Sequence, residues 1–253
     1  MKRKLLSTTL GLFLSTALLA QGNYLFSGTE VVIFSSIDLA TPGGQQWGTD
    51  RSSSPGYYAV YDAATITGAS DASNINGYVK HYAISANQGF AFPVGSGSDL
   101  RTLTTSGTIA ANSQFATAWI AGDPSGNIDP TGTGASGGTH DVTFLGSGLT
   151  GVTTAGEWDW QDITASGAGT TITVSIPDMT GFGAASTLRL VGWDGTQWVN
   201  LSSSQGTSAA SGNTENSTLT GTMIAGISAV TIGKSPLQID LTPATDIDNL
   251  SFS

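Results

Sequence analysis

Thr171-Ile172-Thr173-Val174-Ser175-Ile176 reads as a β-strand. Successive side chains of an extended chain point to opposite faces, so Ile172, Val174 and Ile176 share one side and the three hydroxyl residues share the other. One dry and one wet face is the pattern of a half-buried antiparallel strand. Pro177 stops it, because proline cannot donate to the ladder. A little further on, residues 188–193 and 198–201 flank Asp194-Gly195-Thr196-Gln197. Asp-Gly tolerates the positive φ angles of tight turns, so this segment predicts a β-hairpin.

The same signals recur outward in both directions. Strands are predicted at residues 30–34, 57–61, 77–83, 90–93, 102–105, 115–120, 141–145, 218–222 and 229–232, with turn residues between them. The longest gap, 121–139, holds eight Gly or Pro. Helical spacing of apolar residues is absent after residue 20. Charged residues make up only 10% of the chain, but 39% is hydrophobic, with six Trp, six Tyr and nine Phe. That apolar content separates a folded, turn-rich β protein from a disordered one. The expected fold is all-β, an antiparallel β-sandwich with an N-terminal strand-rich layer. The layer is expected over 21–85 and the sandwich over 86–234. Residues 235–253, after Ser235-Pro236, read as the start of a further module.

The N-terminus carries an export pattern. Lys2, Arg3 and Lys4 precede a mostly apolar stretch ending at Ala20, which predicts a signal peptide over 1–20 cleaved before Gln21. The uninterrupted apolar run is shorter than the roughly 20 residues a spanning helix needs, and no membrane span is expected after cleavage. Cleavage would remove three of the eight basic residues, leaving five against 18 acids, a net charge of −13. Such a chain repels phosphate backbones and excludes nucleic acid as a partner. The chain has no Cys, which excludes disulfides, thiolate metal sites and a Cys nucleophile.

Residues 72–80, Ala-Ser-Asn-Ile-Asn-Gly-Tyr-Val-Lys, are followed by Gly89-Phe90-Ala91-Phe92-Pro93-Val94-Gly95 and then Asp99-Leu100-Arg101. With Leu190 to Leu201 and the segments 217–221 and 229–233, this combination resembles modules of large secreted and surface proteins of the Bacteroidetes. The resemblance spans most of residues 70–233. It implies export, often through the type IX secretion system, and placement in the extracellular space or on the cell surface. It also implies a structural or adhesin-like role, with other surface proteins or extracellular polysaccharide as partners. The C-terminal sorting domain usual in such proteins is not recognisable here.

Chemistry-bearing residues are few. His81 and His140 are the two histidines, and no Gly-x-Ser-x-Gly elbow accompanies them. Both read as exposed. Glu157 and Asp159 fall on one strand face as adjacent, solvated acids, without the opposing carboxylate that glycoside hydrolysis requires. No catalytic residue is assigned. Trp158 and Trp160 share the other face of that strand. They read either as core or, with Gln161, as an aromatic platform for pyranose rings. The platform would make the chain a carbohydrate-binding module, the alternative to the structural reading. Asp123, Asn127 and Asp129 place three oxygen donors in a Gly-bearing loop, a candidate for structural calcium. Asp and Asn in such loops are equally accounted for as turn residues. No other cofactor is implied.

Overall fold

A computed structural model describes residues 23–40, 47–126, 138–202 and 210–236. The predicted signal peptide and the segment 237–253 lie outside them. Among the described residues the only helical element is a single 3-10 turn at Ala185–Thr187, and no helix is long and apolar enough to cross a membrane.

The N-terminal layer is a short parallel coil. Its first turn comprises β1 (Asn23–Leu25), β2 (Glu30–Ile33) and β3 (Ser36–Asp38). The second comprises β4 (Trp47–Thr49), β5 (Tyr57–Tyr61) and β6 (Thr65–Thr67), and the third begins with β7 (Ile75–Asn76) and β8 (Tyr78–Ala83). Equivalent strands stack in parallel register on three faces: β1-β4-β7, β2-β5-β8 and β3-β6. The interior is filled by Leu39, Trp47, Tyr58, Val60 and Ile75, with Leu25, Ile37 and Ile66 packed against them. Trp47 meets Tyr58 edge-on at 5.6 Å. A strand-rich layer is thus present, and its strands pair in parallel.

The remaining strands are β9 (Phe90–Phe92), β10 (Leu103–Gly107), β11 (Ser113–Ala121), β12 (Gly151–Val152), β13 (Gly156–Asp162), β14 (Thr170–Ser175), β15 (Leu188–Trp193), β16 (Trp198–Asn200), β17 (Thr218–Thr222) and β18 (Ala229–Lys234). Two sheets sandwich the main core. The smaller has the order β17-β14-β10-β9. The larger runs β16-β15-β18-β13-β11-β8-β5-β2, with β12 also on β18. Strand β8 joins the two regions, pairing in parallel with β5 and antiparallel with β11. The large sheet therefore continues through the boundary expected near residue 85.

The quoted strand behaves as its pattern demands. Ile172, Val174 and Ile176 are fully buried, while Thr171, Thr173 and Ser175 are partly exposed. Thr173 stands opposite Thr104 and Thr220, bonding the latter hydroxyl at 3.0 Å. The hairpin also forms: Trp193 pairs with Trp198 across a turn in which Gly195 has φ 94. Gly156 answers a second backbone demand. It has φ 152, and a Cβ there would lie 2.4 Å from the Trp119 ring. The strand expected at 141–145 is mostly a turn. The Asp141 carboxylate accepts the Thr143 N–H and hydroxyl at 2.8 and 2.7 Å, holding the chain in a bend.

Candidate functional site

Alternation along β13 sends Trp158 and Trp160 into the sandwich and Glu157, Asp159 and Gln161 to the opposite face. Trp158 packs 4.5 Å from Trp119, and its Nε1 donates to the Arg101 carbonyl at 2.8 Å. Trp160 stacks on Phe115 at 5.1 Å and donates to Asp162 at 2.7 Å. Their exposures are 0% and 1%. The pyranose platform is therefore corrected: neither indole presents a face to a ligand, because both hold the two sheets together. Gln161 is buried too and cannot serve beside them.

The outward acids are corrected as well. Glu157 and Asp159 are buried rather than solvated. Tyr78 donates its hydroxyl to Asp159 Oδ2 at 2.8 Å, and Gln161 Nε2 reaches the same oxygen at 3.2 Å. Tyr57 in turn donates to Gln161 Oε1 at 3.0 Å. Burial, reinforced by the Asp159 charge, pushes the Tyr57 hydroxyl up to about 12. At the other end of the row, His140 Nδ1 lies 2.8 Å from Glu157 Oε2. His140 is enclosed by Trp193 and Trp198, with ring centroids 5.3 and 5.9 Å away.

His81, also expected to be exposed, is buried on the inner face of β8. It stacks on Phe90 at 4.6 Å, and its Nε2 contacts the Asp62 carbonyl at 3.1 Å. The two histidines lie in separate environments. What gathers on β13 is a buried polar row whose members bond one another, with His140 Nε2 left without a hydrogen-bond partner among the described residues. It orders the packing of the coil against the sandwich, as does Arg51, which donates to the Trp119 carbonyl at 2.7 Å.

Of the calcium candidates, Asp123 is described and does a turn residue's work. Its carboxylate accepts the Ser125 N–H at 2.9 Å, and its carbonyl accepts the Gly126 N–H at 2.9 Å. Asn127 and Asp129 lie outside the described residues. No group of three or more His, Asp and Glu side chains suited to a metal occurs among the described residues.

The most accessible chemistry lies on the coil, where sequence reasoning placed none. On the outer face of the large sheet Glu30 stands beside Tyr57 and Tyr78, and Val32 beside Ala59 and Lys80. Phe34 follows on from β2 towards Tyr61, which pairs with Tyr82. Lys80 Nζ bonds the Tyr82 hydroxyl at 2.7 Å and Glu30 Oε2 at 3.3 Å, and Tyr82 donates to the other Glu30 oxygen. These long side chains roof Ala59, which is fully buried. Beside them runs an open aromatic row, Phe34 to Tyr61 at 5.2 Å and Tyr61 to Tyr82 at 6.0 Å. A depression of about 420 Å³ lies against it, lined by Phe34, Ser35, Tyr61, Asp62, Ala63 and Ala64. The missed signal was the recurrence Glu-Val-Val-Ile-Phe, Tyr-Tyr-Ala-Val-Tyr, Tyr-Val-Lys-His-Tyr. Its spacing of 27 and then 21 residues conceals the repeat. No protein-family model, curated protein or solved structure matches this chain.

Proposed function

We propose that the chain is a secreted, extracellular structural module, adhesin-like in use, of a bacterial surface protein, and that it catalyses no reaction. The observation that carries this reading is the continuity of the large sheet, from β2 at one edge to β16 at the other, through both regions of the molecule. Load applied to such a sheet is borne by its interstrand ladders. The segments that resemble Bacteroidetes surface modules support the same view. They supply framework: Tyr78, Phe92, Arg101 and Trp198 are all buried. A Sec-type leader at 1–20 and the strong negative charge fit an exported, soluble surface. The partners in this reading are other surface proteins.

The test is location together with adhesion. Antibody to residues 23–126 should label intact cells of the native host, and protease added outside should remove the signal. Deletion of the gene should reduce cell–cell or cell–surface attachment. Recovery of the chain solely from the cytosol, with attachment unchanged, would sink the proposal.

A second reading, contact with extracellular polysaccharide, rests on the open row Phe34, Tyr61 and Tyr82 in place of the two buried indoles. Aromatic faces beside polar groups suit sugar rings. Co-sedimentation with an insoluble glycan, lost on Tyr61→Ala, would support it. Retention of the glycan by that variant would count against it.

A further inference from the structure

Among the described residues, strands β1, β2 and β3 are each the last strand of their sheet on the same side, so the coil presents three open edges at one end. Repeat coils normally finish in a polar cap, and edge strands are normally blunted by Lys, Pro, bulges or short length. Residues 23–40 contain no Lys, Arg or Pro. They expose Tyr24, Phe26, Val31, Val32 and Phe34, with Phe26 and Phe34 each 72% accessible. The two acids of the segment are engaged. Glu30 is held by Lys80 and Tyr82, and Asp38 Oδ1 accepts the Ala40 N–H at 3.0 Å.

The direction of the free hydrogen-bonding groups on β2 follows from its ladder. The Tyr57 N–H donates to the Thr29 carbonyl, so Thr29, Val31 and Ile33 face β5. Glu30 and Val32 then turn their N–H and C=O groups to the open edge.

We infer that this open coil end is a docking surface for a second copy of the same chain, joined head to head about a two-fold axis through β2. A two-fold lying across the β2 face sets β2 antiparallel to its symmetry mate and brings β1 of each copy against β3 of the other. All three open edges are then paired at once, and the assembly closes as a dimer. A single added strand would satisfy only one edge. The exposed apolar side chains offer roughly 500 Å² per copy, taking about 150–250 Å² for a whole aromatic ring. That approaches the roughly 800 Å² per partner of a standard interface, and the three strand ladders add polar area. Glu30 is paired with Lys80, so no bare charge sits on the β2 two-fold, and the exposed Asp38 carboxylate lies on β3, opposite β1 of the mate and away from its own copy. Long-range repulsion between two strongly acidic chains remains, so the dimer tightens as salt screens it.

The inference deepens the structural reading, but it is tested on purified chain beginning at Gln21. A monomer would overturn the pairing and leave the question of export untouched. Sedimentation equilibrium should give twice the chain mass, with a dissociation constant of roughly micromolar order that falls as salt is raised. Val32→Lys sets two cations opposite each other across the two-fold and should weaken the dimer at least about tenfold. Ile224→Lys, at an exposed site between β17 and β18, should leave it intact. If Val32→Lys alters the circular dichroism spectrum, Phe26→Ser makes the same test from a loop position. Wild type that stays monomeric, or a dimer indifferent to both coil variants, overturns the inference. So does a monomer whose β2 amides resist hydrogen exchange until residues 237–253 are deleted, which would make the chain's own tail the occupant.

Discussion

The coil and the sandwich reach stability by different routes, although they share one sheet. In the sandwich two antiparallel sheets close over Trp119, Trp158, Trp160 and the aliphatic residues of β14, β15 and β18. In the coil, parallel strands of two to six residues enclose a thin interior, and among the described residues no further strand covers one end. The sandwich buries all five of its indoles and exposes Phe144, whereas the coil shows Phe26, Phe34 and Tyr61 to solvent. Bulk of this kind at the surface marks interaction, while bulk inside marks cohesion. The same residue types therefore carry opposite meanings on either side of β8.

The comparison is tested most severely at Trp158. Removing this fully buried indole deletes its packing on Trp119 and its hydrogen bond to Arg101. Trp158→Ala should cost about 3–5 kcal/mol, the usual penalty for an aromatic core truncation. Because β8 binds both β5 and β11, the coil should be lost in the same urea transition as the sandwich. Two separate transitions, one by Trp emission and one by far-ultraviolet circular dichroism, would show that the regions fold independently.

How far the sequence disclosed this arrangement depended on whether each pattern was local. The alternation in β14 and the Asp194-Gly195 hairpin were legible because one ladder period and one turn lie within a few residues. The parallel coil was not, because its partners are 27 and 21 residues apart, separated by loops of unequal length. The burial of Glu157 and Asp159 was equally hidden. A strand pattern gives two faces, and here both are covered, the outer one by Tyr57, Tyr78 and His140 brought from distant segments. The site residues suffered most, since Trp158 and Trp160 fit a core and a platform equally well until the second sheet is in place.

A smaller effect belongs to the sandwich alone. The Arg101 guanidinium is buried and meets Asp99 and Glu215, the latter at 2.6 Å, both carboxylates being about half exposed. The second Glu215 oxygen accepts the Asp178 N–H at 3.0 Å. Glu215→Gln keeps the shape and removes the charge. Water and Asp99 still serve the guanidinium, so the cost should be about 1–2 kcal/mol rather than that of a fully buried pair. Calorimetry should record a fall in Tm of roughly 2–8 °C. An unchanged Tm would mean that Asp99 alone neutralises the arginine.

The seam itself carries the last and smallest effect. His81 sits where coil and sandwich meet, its ring stacked on Phe90 of β9 and its Nε2 against the carbonyl of Asp62 in the β5–β6 turn. A carbonyl only accepts, so Nε2 carries a proton, and it is burial that favours the neutral ring over the imidazolium. Burial lowers the His81 pKa below its ordinary value, and the Asp62 carbonyl and carboxylate only partly oppose this. The unfolded chain takes up a proton below about pH 6.5, where the folded chain still resists it. Unfolding is therefore favoured as pH falls from that point towards the folded pKa, by up to about 1.4 kcal/mol per pH unit. His81→Phe removes the titration and retains an aromatic ring beside Phe90. Urea melts at pH 7.5 and 5.5 should show wild type losing more stability than the variant over that interval. Equal losses would place the acid sensitivity of the fold elsewhere and leave the seam held by packing alone.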